Sequence, residues 1–195
     1  MLIEDKKLIF LHLPKNCGKS VETFLADKTI GNPHAKDWKI RNCLAVGGYS
    51  DYFSFGIIRN PIDRIISVYN HYKGGGVGIQ HDKKVQKKLQ NISFDEFVDK
   101  IDEYKGKLIS EYMLGQQYRW FFEGSKQIVT TILSFDNIPY NVISLGEQFG
   151  IKKEFPWINK SKSFVNIDNV KLDTFNKLHR KYKKDFEVLE KIRYE

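Results

Sequence analysis

Short apolar runs and stretches of helical spacing alternate along this chain, and the alternation predicts its elements. Lys7 to Leu13 (KLIFLHL) is rich in strand formers and stops at Pro14, as a buried strand entering a loop does. Ser20 to Ala26 (SVETFLA) then places Val21, Phe24 and Leu25 on one helical face. Tyr52 to Ile58 (YFSFGII) predicts a second buried strand, closed by Arg59-Asn60-Pro61, where Asn60 suits an N-cap and Pro61 the first helical position. Ile62, Ile65, Ile66, Tyr69 and Tyr72 repeat at helical spacing until the glycines of Lys73 to Gly78 (KGGGVG) end the helix.

The second half of the chain continues in the same way. Gln80 to Gln90 is polar and lysine-rich, and Ser93 with Glu96 three residues on has the form of a capping box. Lys107 to Phe122 reads as helical, and Ile128 to Phe135 (IVTTILSF) as a third strand. Asp136-Asn137-Ile138-Pro139 opens a further helix running to Phe149, and Leu172, Phe175, Leu178, Tyr182, Phe186 and Leu189 mark one long amphipathic helix at the end. Strands alternating with helices predict an α/β fold with a mostly parallel central sheet flanked by helices. No composition shift or repeat divides the 195 residues, so residues 1–195 read as a single domain.

Composition narrows the partners. The 32 basic residues outnumber the 24 acidic ones, and the resulting +8 favours anionic ligands. Cys17 and Cys43 form no CxxC pair and lie near no histidine cluster of ligand spacing, so no metal site is expected. The apolar run near the start is too short for a membrane span and lacks the form of a secretory signal, which reads as a cytoplasmic chain without a transmembrane segment.

The loop Pro14-Lys15-Asn16-Cys17-Gly18-Lys19-Ser20 joins the first strand to its helix, where free N–H groups and the helix dipole favour an anion. Gly18 lets backbone approach the ligand, Lys15 and Lys19 supply charge, and Ser20 supplies a hydroxyl. Gly18-Lys19-Ser20 matches the end of the nucleoside triphosphate pattern G-x-x-x-x-G-K-[ST], but Leu13 stands where its first glycine belongs. Arg59 at a strand end and Ser67 two helical turns onward can converge on one further phosphate.

Two motifs carry a resemblance. FLHLPKNCGKS resembles the 5′-phosphosulfate loop of the sulfotransferases that use 3′-phosphoadenosine 5′-phosphosulfate (PAPS), in particular the carbohydrate-type, heparan/chondroitin sulfotransferase-like branch, with Lys19 where threonine is usual. Phe55 to Tyr69 (FGIIRNPIDRIISVY) is similar to that family's 3′-phosphate motif, F-x-x-R-N-P-x-D-R-x-x-S-x-Y. Ile158 to Ser161 and Lys181 to Glu187 resemble two later family segments, in the expected order. The resemblance implies a P-loop-like three-layer fold and a PAPS-dependent enzyme whose product is adenosine 3′,5′-bisphosphate. It further implies donor contacts from Lys15, Asn16, Cys17, Gly18, Lys19, Ser20, Arg59, Ser67 and Lys160, although a solvated loop accounts for Lys160 equally well.

Sulfuryl transfer to a hydroxyl needs charge stabilisation on the leaving phosphate and a base for the acceptor. Lys15 is the expected stabiliser. Among His12, His34, His71, His81 and His179, the resemblance points to His34 as the base, because His34 to Arg41 is similar to a family segment near the acceptor. A solvated loop or N-cap histidine explains His34 equally well. The implied acceptor is a carbohydrate hydroxyl; the aromatic and basic residues of Tyr112 to Phe122, including Arg119 and Trp120, suit a sugar-stacking or acid-recognising wall and equally a packed helix. A small-molecule kinase using ATP is the competing enzyme. A nucleic-acid-binding domain is the competing binder, against which the basic residues are spread along the chain rather than gathered in a known motif.

Overall fold

The computed structural model describes residues 1–26, 34–158 and 163–194 of the protein. Its contacts group the chain into two compact units, the first made of Met1–Arg59, Gln117–Ile158 and Glu187–Glu195, the second of Asn60–Gln116 and Asn159–Phe186.

The first unit holds the sheet. Strands β1 (Leu2–Ile3), β2 (Leu8–Leu11) and β3 (Phe53–Ile58) precede a small hairpin of β4 (Phe122–Glu123) and β5 (Lys126–Gln127), and β6 (Thr131–Ser134) follows. The main sheet runs β1-β2-β3-β6, with β2, β3 and β6 parallel and only β1 antiparallel. All four residues of β2 are buried, which accounts for an unbroken apolar run in place of alternation. On one face Phe10, Phe55 and Ile57 pack with Val21, Phe24 and Leu25 of α1 (Gly18–Ala26) and with Val142 and Leu145 of α8 (Tyr140–Gln148). On the other face the Phe121 ring packs against Gly56, where a Cβ would stand 2.3 Å from its nearest ring carbon. Helix α2 (His34–Ala45) packs on β2; it buries only Asp37, Arg41 and Leu44, so no apolar stripe announced it in the sequence.

The second unit is helical. It contains α3 (Pro61–Lys73), α4 (Gln80–Leu89), α5 (Phe94–Asp99), α6 (Ile101–Tyr104), α7 (Glu111–Leu114), α9 (Leu172–Lys181) and the start of α10 (Lys183–Tyr194). Helix α3 packs against α4, α5, α7 and α9 around Ile62, Ile65, Tyr69, Val85, Phe97 and Leu178. Asn60 caps α3 by accepting from the N–H groups of Ile62 and Asp63, with Pro61 in the first turn. The Ser93–Glu96 capping box also forms.

Two expected helices differ. Lys107 to Phe122 is not one helix but the single turn α7 and a 3₁₀ turn at Tyr118–Trp120. The carbonyls a continuous helix would use internally go elsewhere: Tyr112 and Gly115 accept from the buried Arg64 guanidinium, and Leu114 accepts from the Tyr182 hydroxyl. The expected C-terminal helix divides at Tyr182, whose φ of -107° and ψ of 24° leave helical geometry and whose carbonyl receives the Asp185 N–H to start α10. The β6 strand is also shorter than expected, because Phe135–Asn137 turns in a 3₁₀ bend.

Candidate functional site

The loop between β2 and α1 is held in an uncommon backbone conformation. Lys15 and Cys17 both have positive φ, 70° and 56°, in the left-handed region that side chains with a Cβ seldom adopt. Alternation of this kind turns successive N–H groups into a concave anion nest ahead of the helix N-terminus. Gly18 has no room for a side chain: a Cβ there would sit 2.0 Å from the His12 ring. That ring is anchored in turn, since His12 Nδ1 lies 2.8 Å from Oε1 of the fully buried Glu22. Gly18→Ala is therefore expected to cost about 1–3 kcal/mol by overpacking, read as a fall in the urea midpoint. An unchanged midpoint would show that His12 moves aside freely.

Positive charge gathers on this loop. Lys15 and Lys19 are half-buried, and the Arg59 guanidinium at the end of β3 donates to the Lys15 carbonyl at 3.2 Å. Phe135 lies under that guanidinium, its ring centroid 4.4 Å away. Burial, then the Arg59 and Lys19 charges, lower the Lys15 ammonium from 10.5 to about 8. A cation so displaced from its ordinary range is one that an incoming anion would restore. Burial has the opposite sense at Cys17, pushing its thiol up to about 12, so it stays a neutral thiol at this site.

The other loop residues divide their duties. Asn16 turns its side chain inward, donating to Ile57 O at 2.6 Å and to Gln117 Oε1 at 2.7 Å, which leaves its main chain for a ligand. Ser20 accepts the Ile158 N–H at 2.9 Å and keeps its own hydroxyl hydrogen to donate. Gln117 also binds both main-chain groups of Arg59. Nothing local in the sequence marks Gln117, because its partners are main-chain atoms and an asparagine 101 positions away.

His34 opens α2 and donates from Nδ1 to the His12 carbonyl at 3.0 Å, its ring meeting His12 edge-on with centroids 4.9 Å apart. A carbonyl only accepts, so His34 Nδ1 carries a proton. His12, Glu22 and Asp37 bring ligand atoms within 4.8 Å of one another. Those atoms serve each other and the chain: His12 pairs with Glu22, and Asp37 accepts from the His12 N–H and the Met1 amino group.

Ser67 lies on α3 in the second unit and is half-buried, and Arg119 is exposed beside Trp120, which packs edge-on to Trp38. Lys160 lies outside the described residues.

A glycine-floored, cation-lined loop between a parallel strand and its helix defines the P-loop-like class of anion-handling α/β enzymes. The sulfotransferase family matches residues 1–192, and the chain belongs to that family. It is a transferase of sulfuryl groups to hydroxyl acceptors. No curated protein and no solved structure matches the chain. Among the described residues, no helix is long and apolar enough to cross a membrane.

Proposed function

We propose that the protein transfers a sulfuryl group from PAPS to a carbohydrate hydroxyl, with residues 1–195 acting as one catalytic domain. The observation that carries this reading is the convergence of Lys15, Lys19 and Arg59 on a left-handed loop floored by Gly18. Three cations with oriented N–H groups suit a ligand bearing several negative charges. PAPS, when bound, supplies the sulfuryl group and leaves as adenosine 3′,5′-bisphosphate.

The chain's own residues do the rest. Main-chain amides of Asn16 to Gly18, with Lys19 and the Ser20 hydroxyl, hold the 5′-phosphate. Lys15 offsets the charge that grows on the phosphate oxygen as its bond to sulfur breaks. Arg59 and Ser67 would serve the 3′-phosphate, as the motif they share with the family implies, and the family position of Lys160 suggests the same end of the nucleotide. With the donor bound, His34 at the start of α2 would serve as the base that takes the acceptor hydroxyl's proton.

Calorimetry with adenosine 3′,5′-bisphosphate tests the reading directly: binding is expected in EDTA and tighter than to ATP with magnesium. Binding that needs magnesium, or that favours ATP, would point to a kinase. Retention on nucleic acid without bisphosphate binding would point to a binding module.

Arg59→Ala should weaken the bisphosphate by about 1.5–3 kcal/mol, the value of a charge-assisted bond, and adenosine 5′-phosphate much less. Equal losses for both ligands would place Arg59 away from the 3′-phosphate. A pH dependence follows from Lys15. The anion favours its protonated form, so affinity is full below about 8 and falls as pH rises through that value, by about tenfold at pH 9. Without ligand the sign reverses: the unfolded chain keeps this proton up to its ordinary 10.5, so folding stability rises between about 8 and 10.5. Lys15→Met should flatten the affinity profile, and a variant as pH-dependent as the parent would assign the effect to another group.

A further inference from the structure

Gln117 lies outside both nucleotide motifs, yet its side chain joins them. It is fully buried. Its Oε1 accepts from Asn16 Nδ2 at 2.7 Å and from the Arg59 N–H at 3.1 Å, and its Nε2 donates to the Arg59 carbonyl at 2.8 Å. The strand pairing of β3 with β6 ends one residue earlier, at Ile58 opposite Ser134. The Gln117 amide therefore serves Arg59 as a neighbouring strand's peptide would, holding both main-chain groups of a residue that the sheet itself no longer pairs.

The connections continue in a ring. Asn16 sends its second amide hydrogen to the Ile57 carbonyl at 2.6 Å, and the Arg59 guanidinium reaches the Lys15 carbonyl at 3.2 Å. Lys15 and Asn16 are adjacent, so Asn16, Gln117, Arg59 and Lys15 close a circuit through one buried amide. Within that circuit Lys15 keeps its left-handed φ, a conformation that persists only where its surroundings over-determine it.

We infer that Gln117 is a positioning residue that locks the 5′-phosphosulfate loop and the strand end bearing Arg59 into one frame, so that both phosphates of the donor are gripped together. The inference rests on the proposed donor. It goes beyond the family motifs, none of which includes Gln117. In its absence each phosphate would still meet cations, but the two grips would no longer be pre-set at the span of a single nucleotide.

Gln117→Met keeps the length and bulk of the side chain and removes its hydrogen bonds to Asn16 and to both main-chain groups of Arg59. Calorimetry would compare adenosine 3′,5′-bisphosphate with adenosine 5′-phosphate and adenosine 3′-phosphate, for the parent and the variant, well below the melting temperature of each. The variant is expected to bind the bisphosphate about 10- to 100-fold more weakly, and the bisphosphate's advantage over the better monophosphate is expected to shrink. Arg59→Ala should also cost less in the Gln117→Met background than in the parent, since both changes act on the same contact. A role confined to stability would lower the melting temperature while leaving the ligand ratio at its parental value, and that result overturns the inference.

Should Gln117→Met fail to fold, Gln117→Glu decides. It keeps both accepted bonds and loses the donated one, so the bisphosphate's advantage should fall by an intermediate factor; a parental ratio again overturns the inference. A parent protein that binds none of the three nucleotides would instead overturn the proposed donor. The parent's own titration separates the two failures.

Discussion

Replacing His34 with alanine is expected to lower kcat by about 10² to 10⁴, the usual contribution of a positioned proton acceptor, while bisphosphate affinity stays close to the parental value. The expectation follows from tautomer and place. Donation from Nδ1 to the His12 carbonyl keeps a proton on that nitrogen, and the ring stands at the first turn of α2, edge-on to the His12 ring that covers Gly18. Alanine removes both the base and the hydrogen bond, so a second variant is needed to tell them apart. Asparagine can place its amide nitrogen where Nδ1 was and still donate to the His12 carbonyl, but it cannot accept a proton. His34→Asn should therefore be as slow as His34→Ala, whereas a purely architectural histidine would be rescued by asparagine. Transfer from PAPS to a panel of glycans, followed alongside the slow hydrolysis of PAPS, reads the effect; a folded variant transferring at the parental rate would move the base elsewhere.

The second large effect is expected at Lys15. Lys15→Ala should lower kcat by about 10² to 10³, as removal of one preorganised stabiliser of developing charge does, and it should also weaken nucleotide binding. The combination distinguishes it from His34, whose loss is expected to fall on turnover alone. Lys15 is half-buried with two like charges close by, so its ammonium is poorly stabilised until an anion arrives. On the proposed mechanism that arrangement would favour the state in which the leaving phosphate carries most charge. Single-turnover rates separate the two contributions, and a Lys15→Ala protein that binds weakly yet turns over at the parental rate when saturated would reduce Lys15 to a binding residue.

The three parallel strands were legible because each is a compact apolar run, with Pro14 stopping the first and Asn60-Pro61 the second, whereas the two-residue β1 is too short to leave a pattern. The strand–loop–helix arrangement around Gly18 was legible for a similar reason, since Pro14 ends the strand and Val21, Phe24 and Leu25 mark the helix within a few residues. What could not be read were the features that depend on distant partners. Gln117 looks like any surface glutamine until Asn16 and Arg59 fold against it. His12 reads as a core histidine on a buried strand, and only the folded chain brings Glu22 to its Nδ1 and Gly18 under its ring. Helix α2 escaped periodicity because its buried positions include Asp37 and Arg41, which bond rather than pack. The helix expected over Lys107 to Phe122 failed because Arg64 and Tyr182 capture its carbonyls, and local propensity carries no information about such competitors.

The contact between His12 and Gly18 also limits how this loop can be exchanged between proteins. A seven-residue graft of Pro14 to Ser20 onto another strand and helix would carry the glycine but not the ring that fills the space above it, and the recipient would acquire a void beside its phosphate nest. The reverse graft, an alanine-bearing loop placed here, would collide with the His12 ring, whose Nδ1 lies 2.8 Å from the buried Glu22 carboxylate. The transferable module is therefore the loop together with His12 and Glu22, and recombination or design in this fold has to move those positions as one piece.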